Sequence, residues 1–151
     1  MSVVATVKNP ILNDSAVSQL GTIGAVVAQR FANRIEPLDL KPVHVGVLSL
    51  LAVNPASSQL DIATAMKVVP SLIVRIADHL ESLGAVERTR DPDDRRRQTL
   101  RLTDHGRALL KDCQVISDDL ETQLLAGLSP AQHTALTGTL RHVAGNLGLT
   151  F

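Results

Sequence analysis

The stretch that decides the fold runs from Ser58 to Thr103: SQLDIATAMK VVPSLIVRIA DHLESLGAVE RTRDPDDRRR QTLRLT. Ser58 reads as a helix N-cap, with Asp61 three residues later in the position of a capping box. That predicts a short helix from about Gln59 to Met66, burying Ile62, Ala63 and Met66. Lys67, Val68 and Val69 make a tight connection to Pro70, a residue suited to a helix first turn. The next helix carries Ile73, Ile76, Ala77, Leu80 and Leu83 on one face and stops at Gly84. Two short helices joined in this way are a helix-turn-helix. The pattern then changes. Ala85–Arg90 and Gln98–Thr103 read as short strands around the polar, turn-forming Asp91-Pro92-Asp93-Asp94-Arg95-Arg96-Arg97. A two-stranded hairpin placed there is a wing.

On the N-terminal side, a loose arm reaches to about Pro10. Val17, Leu20, Val27, Phe31 and Ile35, with Gly24 on the same face, then suit one long amphipathic helix from about Asp14 to Ile35, ended by Pro37. Pro42 opens a second helix to about Ala52. It is apolar on most faces (Val43, Val47, Leu48, Leu50 and Leu51), as a central core helix should be, and Asn54-Pro55 marks the turn after it. On the C-terminal side, Thr103 caps a helix from Asp104 to about Leu125 with Leu109, Cys113, Ile116, Leu120 and Leu124 on one face. Ser129-Pro130-Ala131-Gln132 starts a last helix bearing Leu136, Leu140, Val143 and Leu147. The expected architecture is a single, mainly α domain over 1–151: a winged helix-turn-helix at about 40–103, flanked by dimerisation helices at about 14–36 and 104–148.

Composition excludes several function classes. The chain of 151 residues is 44% hydrophobic and 20% charged, ordinary for a globular domain. No apolar run is long enough to span a bilayer, and residues 1–11 lack the basic and apolar regions of a secretory signal, so a cytoplasmic protein is expected. The lone Cys113 cannot form an intrachain disulfide. Phe31 and Phe151 are the only aromatic rings among Phe, Trp and Tyr, which leaves no stacking platform for single-stranded nucleic acid. Duplex DNA needs no rings. Formal net charge is zero, so the distribution of charge decides: between Ala85 and Lys111 eight basic residues face five acidic ones, a local +3.

From about Leu40 to Leu110 the sequence resembles the MarR family, the multiple-antibiotic-resistance type regulators. The likeness lies in Ser58-Gln59-Leu60-Asp61-Ile62-Ala63, in Arg75-Ile76-Ala77-Asp78-His79-Leu80-Glu81 followed by Gly84-Ala85-Val86-Glu87-Arg88, and in Asp91-Pro92-Asp93-Asp94-Arg95-Arg96 with Leu102-Thr103 and Gly106. The wing motif is the most specific of the three. The resemblance implies a homodimeric transcription regulator that binds double-stranded DNA and answers to a small organic effector, in the family often a phenol or aromatic carboxylate. It implies no cofactor, no enzymatic activity and no membrane partner.

The DNA-contacting residues expected are Ser58 and Gln59 at the first helix of the motif, and Ser71, Leu72, Val74 and Arg75 near the start of the recognition helix. Arg88, Arg90, Asp94, Arg95, Arg96 and Arg97 are expected on the wing. Arg75 has the reach for guanine or phosphate. Leu72 and Val74 stand where the family commonly has polar residues; contact with thymine methyls and ordinary packing both fit them. By resemblance, Asp94 pairs with a nearby arginine and Arg96 enters a narrow minor groove. Arg88, Arg90, Arg95 and Arg97 have phosphates within reach. His44 lines an effector pocket or is a satisfied core histidine. The five histidines show no ligand spacing, and nothing suggests a catalytic constellation. Two rival readings are a thiol- or metal-responsive sensor on the same scaffold and a winged-helix interaction module without DNA binding.

Overall fold

The computed structural model describes residues 15–91, 94 and 98–149. The expected N-terminal arm and the arginine run Arg95–Arg97 lie outside the described residues. Six α-helices and a small sheet follow in the order α1 (Ala16–Ile35), α2 (Pro42–Val53), β1 (Ser57–Ser58), α3 (Gln59–Met66), α4 (Pro70–Ser82), β2 (Val86–Arg90), β3 (Gln98–Leu102), α5 (Asp104–Leu124) and α6 (Pro130–Asn146). The fold is the mainly helical winged helix-turn-helix expected. The chain divides into two compact units, up to Ser117 and from Asp118.

Local chemistry sets the helix starts. Ser15, Ser58 and Ser129 cap α1, α3 and α6, each hydroxyl accepting the N–H three residues on, and Asp61 and Gln132 return the bond to the cap N–H. Pro42, Pro70 and Pro130 occupy first turns, where a missing N–H costs nothing. Lys67 takes the left-handed conformation (φ 54°) that turns the chain from α3 into α4.

Two features depart from the expectation. The wing has a third strand: β1 pairs antiparallel with β3 (Ser57 with Leu100, Ser58 with Thr99), giving the order β1-β3-β2. A strand of two residues has no period to detect. Pro37 does not stop the chain outright either. It sits in a 3-10 turn, Glu36–Leu38, that continues from α1.

In the first unit, Leu48, Leu51, Ile62, Ile73, Leu80 and Leu100 are fully buried at the centre of the core, with Leu109 and Cys113 of α5 packed into it. Each such aliphatic side chain contributes roughly 1.5–3 kcal/mol on burial. Gly106 locks α5 against the wing. Its N–H donates to Thr103 Oγ1, which donates to the Gly84 carbonyl at 2.6 Å, while the Thr103 N–H donates to the Ala85 carbonyl. A Cβ at Gly106 would stand 1.9 Å from that Ala85 oxygen. This explains the Leu102-Thr103…Gly106 part of the motif. Gly84 itself, with φ +69°, closes α4 in a conformation side chains disfavour.

The N-terminal part of α1 behaves differently. Phe31 and Ile35 pack into the core, whereas Val17 is 82% and Ile23 51% exposed, with Leu20 and Val26 also open to solvent. In the second unit, Leu120 and Ala144 are buried, and Leu136, Leu140 and Leu147 are exposed.

Candidate DNA-binding interface and cavity

Helix α4 turns Ile73, Ile76, Ala77 and Leu80 into the core. At roughly 100° per residue, the opposite side carries Ser71, Val74, Arg75 and Asp78, all exposed. Among the described residues Arg75 has neither an ion-pair nor a hydrogen-bond partner, so its five N–H donors face solvent. Leu72 is half-buried and packs on the core; Val74 is 42% exposed.

The other expected contacts sort by what already occupies them. Ser58 is buried and uses its hydroxyl to accept the Asp61 N–H, which starts α3. Gln59 is half-buried beside it. Arg88, on β2, is engaged by both Asp78 and Glu81 of α4. The hydrogen bond to Asp78 leads the effects that hold its guanidinium above the ordinary arginine range. Arg88 was expected to reach phosphate; here it braces the hairpin to the recognition helix. Arg90 is exposed at the end of β2 and Asp94 is exposed near the tip. Thr89 and Thr99 exchange a hydroxyl hydrogen bond of 3.0 Å across the strands above them.

The flank of α4 on the side of α1 and α2 borders a cavity of about 610 Å³. Its polar wall includes Asn33 and Glu36 at the end of α1, Lys41 and His44 at the start of α2, and Arg75 and His79 of α4. The His44 and His79 rings stack with centroids 4.6 Å apart. His44 Nδ1 accepts the Lys41 N–H at 3.0 Å, and His79 Nε2 lies 2.7 Å from the Asp39 carbonyl oxygen. Burial first, and then His79 and Lys41 nearby, lower the His44 pKa to about 4, so the ring is neutral at pH 7. His44 is thus both a satisfied core histidine and a cavity residue. The cavity was not legible in the sequence, because its walls come from three helices.

Cys113 is 2% exposed and burial pushes its thiol up from the usual range. A thiol protonated and shielded in this way is a poor redox sensor. Among the described residues, no three His, Cys, Asp or Glu side chains cluster as a metal site, and no helix is long and apolar enough to cross a membrane.

The family model of the MarR family matches residues 40–97, from just before α2 to just before β3. The fold is similar to the crystal structure of MarR from E. coli, with a TM-score of 0.73 over 85% of this chain and 96% of that one at 22% identity. The repressor CouR, in a structure bound to a 23-mer DNA duplex, is 33% identical over 91% of this chain and 97% of its own, with a TM-score of 0.75. CouR from Rhodococcus jostii RHA1 is also seen bound to p-coumaroyl-CoA, at 29% identity over 87% and 92% of the two chains and a TM-score of 0.68. A transcriptional regulatory protein for the hcr operon of Thauera aromatica is 34% identical over 122 residues, 80% of this chain and 74% of the relative. Kinship of that extent, joined to the recognition helix and its braced hairpin, makes this chain a member of the MarR family of DNA-binding transcriptional regulators.

Proposed function

We propose that the protein is a cytoplasmic, non-enzymatic repressor that occupies a pseudo-palindromic operator as a homodimer and leaves it when a small organic effector enters the cavity beside α4. The observation that carries the reading is the outward face of α4, where Arg75 has no partner among the described residues while Arg88 behind it is neutralised by Asp78 and Glu81. A bare guanidinium on a recognition helix suits a base edge or a phosphate, and Ser71 adds a hydroxyl donor on the same face. Residues 40–103 form the DNA-binding part. The helices over 14–36 and 104–148 form the dimer, with Val17, Leu20 and Ile23 of α1 and Leu136 and Leu140 of α6 supplying apolar area. Two-fold symmetry then sets two recognition helices about one DNA turn apart.

On the wing, Asp94 holds the tip in shape, Arg96 enters the minor groove, and Arg90, Arg95 and Arg97 meet phosphates. CouR, bound to DNA in one structure and to p-coumaroyl-CoA in another, supports both halves of the reading. The test is a gel-shift series with the DNA flanking the protein's own gene, over a range of salt. Arg96→Ala should weaken binding to every sequence and make the salt slope shallower by about one unit. An unchanged affinity and slope would take the wing out of the mechanism.

A further inference from the structure

We propose that Arg75 is shared between the two ligands: it contacts DNA in the free repressor and grips the anionic group of an effector seated in the cavity. The inference rests on the ligand-responsive repressor reading above and adds the device by which one ligand displaces the other. Helix geometry puts Arg75 between two surfaces. At roughly 100° per residue it lies next to Ser71, which points directly away from the core, on one side. On its other side are His79 and then Leu72, which line the cavity wall with it. A long side chain at that boundary reaches either surface by changing rotamer, at a cost well below that of a charge-assisted hydrogen bond.

Charge assigns the ligand class. The cavity holds two permanent cations, Lys41 and Arg75, and two carboxylates, Glu36 and Asp39, with His44 kept neutral by burial. Asp39 lies 3.8 Å from His79 Nε2, and its carbonyl oxygen already meets that nitrogen, so it turns towards the histidine. Arg75 has no such partner among the described residues. An arginine on the adjoining strand β2 shows what a guanidinium does here when carboxylates are offered. Arg88 takes both Asp78 and Glu81. A cavity of about 610 Å³ is in the range that admits a small organic acid with room to spare. Its carboxylate would give Arg75 a bidentate partner, while the Glu36 carboxylate, beside Gln29 and Asn33 whose amides bond to each other at 2.7 Å, is left for a hydroxyl at the other end. Binding of the acid then removes the guanidinium from the DNA-facing side as well as filling the space behind α4.

The experiment measures operator binding by fluorescence anisotropy and acid binding by calorimetry, for wild type, Arg75→Lys and Arg75→Gln. The probes are p-hydroxybenzoate, p-coumarate and 6-hydroxynicotinate, each beside its neutral amide. Because Arg75 is exposed, the variants should melt with the wild type, and that is checked first. At least one acid should release wild-type protein from the operator while its amide does not. Arg75→Gln should lose about tenfold or more in affinity for the operator and a comparable factor for the acid, with Arg75→Lys intermediate on both. Arg75→Gln weakened for DNA yet binding the acid as well as wild type would overturn the sharing, as would an amide as effective as its acid; either result leaves the repressor reading intact. If no probe binds or releases wild-type protein that does bind its operator, the effector half of that reading falls, and this inference with it.

Discussion

The junction of α4, the wing and α5 differs from the N-terminal half of α1 in a way that shows where one chain suffices and where it does not. At the junction the polar groups pair within the chain: the Thr103 hydroxyl bridges the Gly84 carbonyl and the Gly106 N–H, and Ala85 is wholly buried. In α1 the helix is equally regular and capped by Ser15, but Val17, Leu20, Ile23 and Val26 lie open. Both segments are apolar and periodic in sequence. Apolar periodicity records that a face is to be buried, without recording by what. The junction is completed within the chain; the proposed dimer would cover the α1 face with a second copy.

The strongest way to break the first half of this comparison is Gly106→Ala. The added methyl would sit 1.9 Å from the Ala85 carbonyl oxygen, a backbone atom that cannot swing aside as a side chain would. Expected destabilisation is about 3 kcal/mol or more, at the upper end for overpacking, read as a drop in urea midpoint. A midpoint within error of wild type would show that the contact relaxes freely and that the junction is less rigid than its geometry implies.

A second test uses the buried histidine at the cavity wall. His44 titrates near 4 in the folded protein and near 6.5 when unfolded. Between those values the unfolded chain takes up a proton that the folded chain refuses, so acidification favours unfolding. Stability supplied by the neutral ring is complete above pH 6.5, falls as pH drops towards 4, and is flat below that. The shift corresponds to about 3 kcal/mol at most. His44→Asn offers an acceptor to the Lys41 N–H without a titrating ring, and should remove most of this slope from the difference in stability between pH 7 and pH 4. An identical slope in the variant would mean that other groups carry the acid sensitivity.

Much of the wing and of the helix-turn-helix was legible because local chemistry fixes it. The Ser58–Asp61 and Ser129–Gln132 boxes, the prolines at first turns and Gly84 at a helix end act within four residues, and the helix limits they imply match the structure. What was not legible is tertiary. The pairing of β1 with β3 joins residues some forty positions apart along the chain. The engagement of Arg88 by Asp78 and Glu81 is invisible to a count of basic residues, which enters Arg88 as one more positive charge. Ser58 was expected both as a cap and as a DNA contact, because a serine hydroxyl suits either; the structure shows it buried and capping α3.

The smallest effect on the folded chain, and the sharpest for the comparison, is expected from Ile23→Glu. Ile23 is 51% exposed on α1, away from the Phe31–Ile35 end that joins the core. Within one chain the substitution replaces a solvated side chain by another, and should change stability by no more than about 0.5 kcal/mol. In a dimer that covers this face it buries an unpaired carboxylate against apolar neighbours, which costs far more than the methylenes it replaces. Sedimentation equilibrium should therefore show monomer where wild type is dimeric. Thermal melting should lose the concentration dependence that subunit association imposes, while circular dichroism keeps its helical signal. DNA affinity should fall with it, since two half-sites held by separate chains forfeit the effective concentration that linkage supplies. A variant that stays dimeric would move the interface off this part of α1. The open apolar face would then need another occupant, and the parallel between the two regions would end at the helix periodicity they share.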